Sequence, residues 1–127
     1  MMRAMNTSRD LPRIRLRLDF GDRLVLGPGK ADLLQGIAEL GSISAAGRRM
    51  KMSYKRAWSL VEEMNAAFAR PLVYSSRGGS GGGGAALTEA GQAVLAQFRG
   101  LETMLVTDGQ DRIRAIMALM PDMSDYK

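Results

Sequence analysis

Neither cysteine nor histidine occurs in this chain of 127 residues. The chain can therefore form neither disulfides nor thiolate metal sites. It also lacks the commonest metal ligand and the commonest general base found in proteins. No apolar run approaches the roughly 20 residues that a membrane-spanning helix needs. We accordingly expect no metal, no cofactor and no membrane partner, and an enzyme would have to work with Asp, Glu, Lys or Ser.

The start of the chain, residues 1–12, carries two arginines but no apolar stretch of the kind that secretory signals contain. We therefore expect a cytoplasmic protein that begins with a flexible tail. The remaining length suits a single domain. Its expected limits are 13–88, followed by a helical dimerisation segment over 89–127.

The net charge of +5 is unevenly distributed. Residues 42–84 contain seven basic and two acidic side chains, whereas residues 85–127 contain four basic and six acidic ones. A basic middle followed by an acidic end is typical of a protein that meets a polyanion with one face. A solvated surface of mixed charge would give the same distribution, so charge alone leaves both interpretations open.

The spacing of apolar residues predicts a β-hairpin followed by three helices. Alternation over 14–18 and a short apolar run over 24–26 indicate the two strands, with Phe20 extending the apolar set. A helix is predicted over 30–40, with Gly41 as its stop. The next two helices are predicted over 44–50, with Ser44 as N-cap, and over 53–68, with Ser53 as N-cap. Ala57, Leu60, Val61 and Met64 form the inner stripe of the longer one, and Trp58 lies at its edge.

A glycine-rich loop separates two further predicted strands, 72–75 and 85–87. Six of the seven residues 78–84 are glycine, which favours a flexible hairpin tip, although a linker has the same composition. A phosphate-binding P-loop is disfavoured because Ala85 and Ala86 stand where Lys and Ser or Thr would be needed. Strand, loop and strand after a pair of helices is the order of a winged helix. Glycine N–H groups at the tip could approach phosphates or a minor groove.

A long helix is predicted after the wing, with Thr88 as its cap. Gly109 is expected to interrupt it, leaving a last short helix over 111–120. The apolar stripe of the long helix could pack on its own domain, but its length and position favour a dimer interface. The predicted dimerisation residues are Val94, Phe98, Leu101 and Leu105.

The two helices over 42–65 fit a helix-turn-helix. Small residues in the first helix, Ala45, Ala46 and Gly47, would let the second cross it closely, and the second has an apolar back and a front of hydrogen-bond donors, as a major-groove reader requires. An ordinary helical hairpin with a solvated cationic face is the alternative. The candidate DNA-contacting residues are Ser53, Tyr54, Lys55, Arg56 and Ser59 on the second helix, Ser44, Arg48 and Lys51 on the first helix and turn, and Arg77, Gly79 and Ser80 in the wing. Trp58 and Tyr74 are expected to pack rather than to stack on bases.

Several strings resemble the molybdate-responsive bacterial regulators of the ModE family. They are Ser-Tyr-Lys-Arg-Ala-Trp at 53–58, Glu-Met-Asn at 63–65 and the glycine run ending in Ala-Ala-Leu-Thr at 85–88. Residues 42–65 are also similar, more distantly, to the LysR-type helix-turn-helix. The resemblance covers roughly residues 13–105.

The resemblance implies a dimeric winged helix that binds operator DNA. Residues 53–56 would then face the major groove, and Arg77 and Ser80 would lie in the wing. Members of the family bind molybdate through C-terminal domains built of small β-barrels, whereas the residues that follow the wing here are predicted to be helical. We therefore expect this chain to lack that sensor domain and not to bind molybdate.

The expected fold is α+β and mainly α: a winged helix-turn-helix with an N-terminal β-hairpin, a Gly-rich wing and a long C-terminal dimerisation helix. The expected function is sequence-specific binding of double-stranded DNA by a homodimeric transcription regulator. The main alternative is a winged-helix interaction module that pairs with another regulator. RNA binding is a second alternative, and an enzyme is disfavoured because no spacing brings carboxylates or lysines together.

Overall fold

The computed structural model of the chain describes residues 11–76 and 84–121. Within them, helices predominate over two small antiparallel sheets, which confirms the predicted mainly α, α+β class. The elements in chain order are β1 (Leu18–Asp19), β2 (Val25–Leu26), α1 (Pro28–Leu40), α2 (Ile43–Arg49), α3 (Tyr54–Ala67), β3 (Val73–Ser76), β4 (Gly84–Leu87) and α4 (Glu89–Met117).

The chain divides into two units, and Leu16–Arg99 is the larger. It contains both sheets, α1 to α3 and the beginning of α4. The second unit comprises Met1–Arg15 and Gly100–Lys127, of which the structure describes 11–15 and 100–121.

The predicted N-terminal hairpin is present, but its ladder is short. Leu18 lies opposite Leu26 in the antiparallel pair β1–β2. Phe20 is 51% exposed, so the expectation that it extends the apolar face was wrong. The physical reason lies next to it: the Asp19 carboxylate accepts a hydrogen bond from the Gly21 N–H at 2.8 Å, which favours a turn over a longer strand.

Helix α1 begins two residues before its predicted start, at Pro28. Proline suits the first helical position because its ring fixes a helical φ and no N–H is needed there. The predicted stop is confirmed, since the Gly41 N–H donates to the Ile37 carbonyl at 2.9 Å. The helix carries five buried residues, Ala31, Leu33, Leu34, Gly36 and Ile37.

The core of the larger unit lies where α1, α2, α3, the base of the wing and the start of α4 meet. The predicted inner stripe of α3 is confirmed as part of it, and Phe98 is among its largest fully buried side chains. The core residues are Leu24, Leu26, Ala31, Leu33, Leu34, Ile37, Ile43, Ala46, Ala57, Leu60, Val61, Met64, Leu72, Val73, Leu87, Leu95 and Phe98.

Exposed ion pairs connect the helices around this core. Arg49 on α2 donates to Glu39 on α1 at 2.8 Å, and Arg99 on α4 donates to Asp32 on α1 at 2.8 Å. The hydrogen bond from Arg49, with a second from Gln35, holds the pKa of the Glu39 carboxyl below its usual range. These contacts orient the helices, but exposed pairs add little stability.

Helix α4 is longer than predicted, because Gly109 does not interrupt it. A single helix of 29 residues runs from Glu89 to Met117 and includes most of the segment that had been assigned to a separate last helix over 111–120. A glycine inside a helix costs about 1 kcal/mol relative to alanine, which favourable neighbours can offset.

Candidate nucleic-acid interface

Ser42, rather than the predicted Ser44, is the N-cap of α2. The Ser42 hydroxyl accepts a hydrogen bond from the Ala45 N–H at 3.0 Å, and its backbone is extended, as an N-cap requires. Ser44 lies two residues later, where its hydroxyl accepts from the Arg48 guanidinium at 3.1 Å. The predicted cap was therefore wrong by two positions, and Ser44 instead places Arg48 along the surface of α2.

The close crossing predicted from small residues in α2 is confirmed at Gly47. A Cβ built on Gly47 would lie 2.9 Å from the Cβ of Ala57 on α3, closer than side chains pack. The Gly47 carbonyl also accepts from the N–H groups of Met50 and Met52, each at 3.0 Å, which fixes the turn between the helices. Lys51 completes this turn with φ at +62° and presents an exposed side chain.

Helix α3 has the two faces that the sequence predicted. Ser53 caps it, since its hydroxyl accepts from the Arg56 N–H at 3.0 Å. The front of the helix is exposed at every predicted DNA-contacting position, namely Ser53, Tyr54, Lys55, Arg56 and Ser59.

The cations of this surface are available to a ligand. Across residues 11–76 and 84–121, the side chains of Lys55 and Arg56 make neither an ion pair nor a hydrogen bond. Among the described residues, the exposed Arg48 side chain bonds only the neutral Ser44 hydroxyl, so no carboxylate offsets its charge there. Lys51 in the adjoining turn is also exposed.

The base of the predicted wing is the antiparallel pair β3–β4, in which Val73 lies opposite Leu87 and Ser76 opposite Gly84. The predicted wing contacts Arg77, Gly79 and Ser80 lie outside the described residues. Tyr74, expected to pack, is 63% exposed, so that expectation was wrong.

Asn65 fixes the wing to the end of α3, a role that sequence reasoning missed. Its side-chain oxygen accepts from the N–H groups of Leu72 at 2.8 Å and Val73 at 3.0 Å, and its amide donates to the Val73 carbonyl at 3.2 Å. The sequence shows Asn65 as a polar residue beside the apolar stripe of α3. It does not show that β3 lies next to this residue, because only folding brings them together.

Two further contacts fix the wing on its other side. The Thr88 hydroxyl accepts from the Gly91 N–H at 3.0 Å, which confirms it as the cap of α4, and donates to the Pro71 carbonyl at 2.7 Å. The Ala85 N–H donates to the Gly41 carbonyl at 2.9 Å, which joins β4 to the chain between α1 and α2.

A cleft of about 190 Å³ opens between the start of α2, the front of α3 and the base of the wing. Its polar lining comes from Ser42, Ser44, Tyr54, Trp58, Ser75 and Ser76. Trp58 packs against the core, as predicted, and the ring of Tyr54 meets it edge-on with centroids 6.1 Å apart. The indole nitrogen of Trp58 is buried without a hydrogen-bond partner among the described residues.

The predicted dimerisation residues fall into two groups. Phe98 is 1% exposed and Val94 packs against the same core, so both side chains are engaged within their own chain. Leu101 is partly exposed and Leu105 is 41% exposed. Of the four predicted residues, Leu101 and Leu105 therefore keep an exposed surface, and Met104 and Val106 beside Leu105 are exposed as well.

No helix in the described part of the chain combines the length and the apolar character needed to cross a lipid bilayer.

Residues 30–92, from within α1 to the start of α4, match the family model for the bacterial regulatory helix-turn-helix protein of the lysR family. The LysR-type resemblance seen in the sequence is thereby confirmed.

Curated relatives confirm the resemblance to ModE. The molybdenum transport protein ModE of Azotobacter vinelandii is 38% identical over 98 residues, covering 77% of this chain and 36% of that protein. The DNA-binding transcriptional dual regulator ModE of Escherichia coli K12 is 42% identical over 82 residues, covering 65% and 31%. The molybdenum-pterin-binding protein MopB of Rhodobacter capsulatus is 44% identical over 77 residues, covering 61% and 28%. The chain thus spans about a third of the length of the relatives it matches.

Proposed function

We propose that this chain, whose residues 30–92 form a LysR-type helix-turn-helix like that of the ModE regulators, is a transcription regulator that binds double-stranded DNA in a sequence-specific manner. The observation that carries the proposal is the front of α3. Lys55 and Arg56 stand exposed and unpaired among the described residues, on a helix whose back is buried against α2 and the core. A helix in that situation can enter the major groove without disturbing the fold.

In this proposal the N-terminal half of α3 lies in the major groove. Lys55 and Arg56 donate to guanine O6 and N7 or to phosphates, and Ser53, Tyr54 and Ser59 contact sugars, phosphates or thymine methyl groups. Ser44, Arg48 and Lys51 approach the neighbouring backbone. The wing contacts the flanking DNA through Arg77, Gly79 and Ser80.

Comparing binding to promoter fragments from the gene's own neighbourhood with binding to random DNA of equal length tests this function. The proposal expects one promoter fragment to bind at least 10³ times more tightly, as specific regulators do. Equal and weak binding to both DNAs would leave only a basic surface and would favour the interaction-module alternative. Competition with single-stranded RNA distinguishes the RNA-binding alternative.

We also propose that two copies act together on a two-fold DNA site. Support comes from the exposed apolar residues of the second unit: Met104, Leu105, Val106, Ile116, Leu119 and Met120. Covering exposed apolar side chains with a second copy removes them from water and is favourable.

The variant Leu105→Glu tests the dimer, with Leu40→Glu as control because Leu40 is 44% exposed and lies on α1. Sedimentation equilibrium should show a dimer for the wild type and the control and a monomer for Leu105→Glu. A wild type that is monomeric at micromolar concentration would contradict the proposal.

We further propose that DNA binding by this chain does not require molybdate, because the described residues after the wing are helical, as expected, rather than strand-rich. Adding molybdate should leave the affinity for the promoter fragment unchanged. A molybdate-dependent increase in affinity would contradict this part of the proposal.

A further inference from the structure

The cleft between α2, α3 and the wing base is lined by hydroxyl-bearing side chains and by Trp58, whose indole nitrogen is buried. Serine and tyrosine hydroxyls can donate or accept, whereas the Trp58 indole nitrogen can only donate. An unpaired buried donor is energetically unfavourable, and proteins satisfy the large majority of such groups. The Trp58 N–H has no acceptor among the described residues, so it can donate to a bound ligand.

The charges around the cleft favour an anion. None of the described residues that line it carries a carboxylate. The Arg48 guanidinium donates to the hydroxyl of one lining residue, Ser44, at 3.1 Å and so brings a positive charge near the cleft. A cation is disfavoured because the indole N–H repels it, and an apolar ligand would leave the hydroxyls and the N–H unsatisfied.

The position of the cleft identifies the source of the anion. Its walls are the N-terminal half of α3, which carries Tyr54 and Trp58, and the base of the wing, which carries Ser75 and Ser76. Under the proposed function, a DNA strand contacted by both the front of α3 and the wing passes between these walls. The group that it presents to them is a backbone phosphate.

We propose that the cleft binds one phosphodiester group of the DNA backbone, with the Trp58 indole N–H as a direct donor and the Ser44 and Ser76 hydroxyls beside it. The inference rests on the proposed function, because it requires α3 to lie on DNA. Tyr54 is 60% exposed and its ring stands edge-on to Trp58, so it can change rotamer to admit the phosphate. The indole then becomes a positioning contact that fixes how deeply α3 enters the groove.

Trp58 is the only tryptophan of the chain, so its indole N–H gives a single resonance in a ¹⁵N-correlated NMR spectrum. Titration of the labelled protein with the promoter duplex should move this resonance downfield, as a new hydrogen bond to a phosphate does. Inorganic phosphate at the same concentration should leave it in place. A resonance that stays fixed while the protein binds DNA overturns the proposal, and a resonance that responds to inorganic phosphate but not to DNA assigns the cleft to a free anion.

The variant Trp58→Phe removes the donor and keeps an aromatic ring. Its affinity for the promoter duplex should fall about tenfold, the equivalent of one hydrogen bond to a charged group. Because the indole is neutral, the dependence of log affinity on log salt should keep its slope. Ser76→Ala is a second variant that leaves the core intact, and its effect should not add to that of Trp58→Phe, since both would act on one phosphate.

Duplexes with a single neutral methylphosphonate at each backbone position locate the contact. At one position the methylphosphonate should weaken binding of the wild type to the duplex but leave the affinity of Trp58→Phe unchanged. If no position shows this difference while Lys55→Ala and Arg56→Ala still lose affinity, the cleft proposal is wrong and the proposed function stands. If the wild type binds no duplex at all, the proposed function itself fails.

Discussion

Gly91, in the first turn of α4, lies directly against the backbone of Leu72, so that a Cβ on Gly91 would overlap the Leu72 carbonyl oxygen. The same carbonyl accepts the Thr88 N–H at 2.9 Å. The start of α4 and the chain entering β3 are thus in backbone contact. Since β3 forms the base of the wing, this contact helps to fix where the wing stands relative to α3.

Gly91→Ala should therefore destabilise the fold by about 1–3 kcal/mol, as other forms of overpacking do. The matched control is Gly100→Ala, because a Cβ on Gly100 would have no neighbour within 4 Å. The control should gain about 0.5–1 kcal/mol from helix propensity. Urea unfolding measures both, and equal free energies of unfolding for the two variants would contradict the contact.

Asn65→Ala should lower the free energy of unfolding by about 2–3 kcal/mol, since it removes three hydrogen bonds and leaves two backbone donors unsatisfied. Asn65→Asp keeps the acceptor for the Leu72 and Val73 N–H groups, so its free energy of unfolding should fall less than that of Asn65→Ala. Urea unfolding compares the two variants. An alanine variant as stable as the wild type would show that β3 does not depend on α3 for its position.

Ser42→Ala should cost about 1 kcal/mol of stability, the usual effect of losing an N-cap. Ser44→Ala should cost clearly less, because its hydroxyl bonds only an exposed Arg48 side chain. Thermal unfolding of the two variants distinguishes them. A larger loss of stability in Ser44→Ala than in Ser42→Ala would show that Ser44 is the N-cap, as predicted from the sequence.

The Glu39–Arg49 pair predicts a pH-dependent stability. The pKa of Glu39 is lowered in the folded state, chiefly by the hydrogen bond from Arg49. A lowered folded pKa stabilises the protein above the unfolded pKa of about 4.3, and the effect is lost as pH falls through the folded value. Glu39→Gln should therefore be less stable than the wild type at pH 7 and equal to it at pH 2. If the difference in the free energy of unfolding between the wild type and Glu39→Gln did not change with pH, the lowered pKa of Glu39 would not be its cause.

Patterns that depend on neighbouring residues were predictable from the sequence. The inner stripe of α3 follows from helical periodicity, and the Ser53 cap from a serine just before that stripe. The wing strands follow from short apolar runs on either side of the glycine loop.

Features decided by competing local signals or by distant contacts were not predictable. Ser42 and Ser44 are both acceptable caps, and only the backbone angles of the folded chain choose between them. Gly109 is a helix-breaking signal that the rest of α4 overrides. Asn65 gains its hydrogen-bond partners only when β3 comes to lie beside α3. The indole nitrogen of Trp58 likewise becomes buried without a partner among the described residues only in the folded chain.

The central claim is that the exposed front of α3 binds DNA, and the most direct test is a salt titration of the affinity for the promoter duplex. We compare the wild type with Arg56→Ala and with Arg23→Ala, an exposed arginine between β1 and β2. The account predicts steeply salt-dependent binding that Arg56→Ala weakens by about 1–3 kcal/mol, with a slope reduced by about one if Arg56 contacts a phosphate. Arg23→Ala should match the wild type. Affinity unchanged in Arg56→Ala, or binding that is insensitive to salt, would contradict the account.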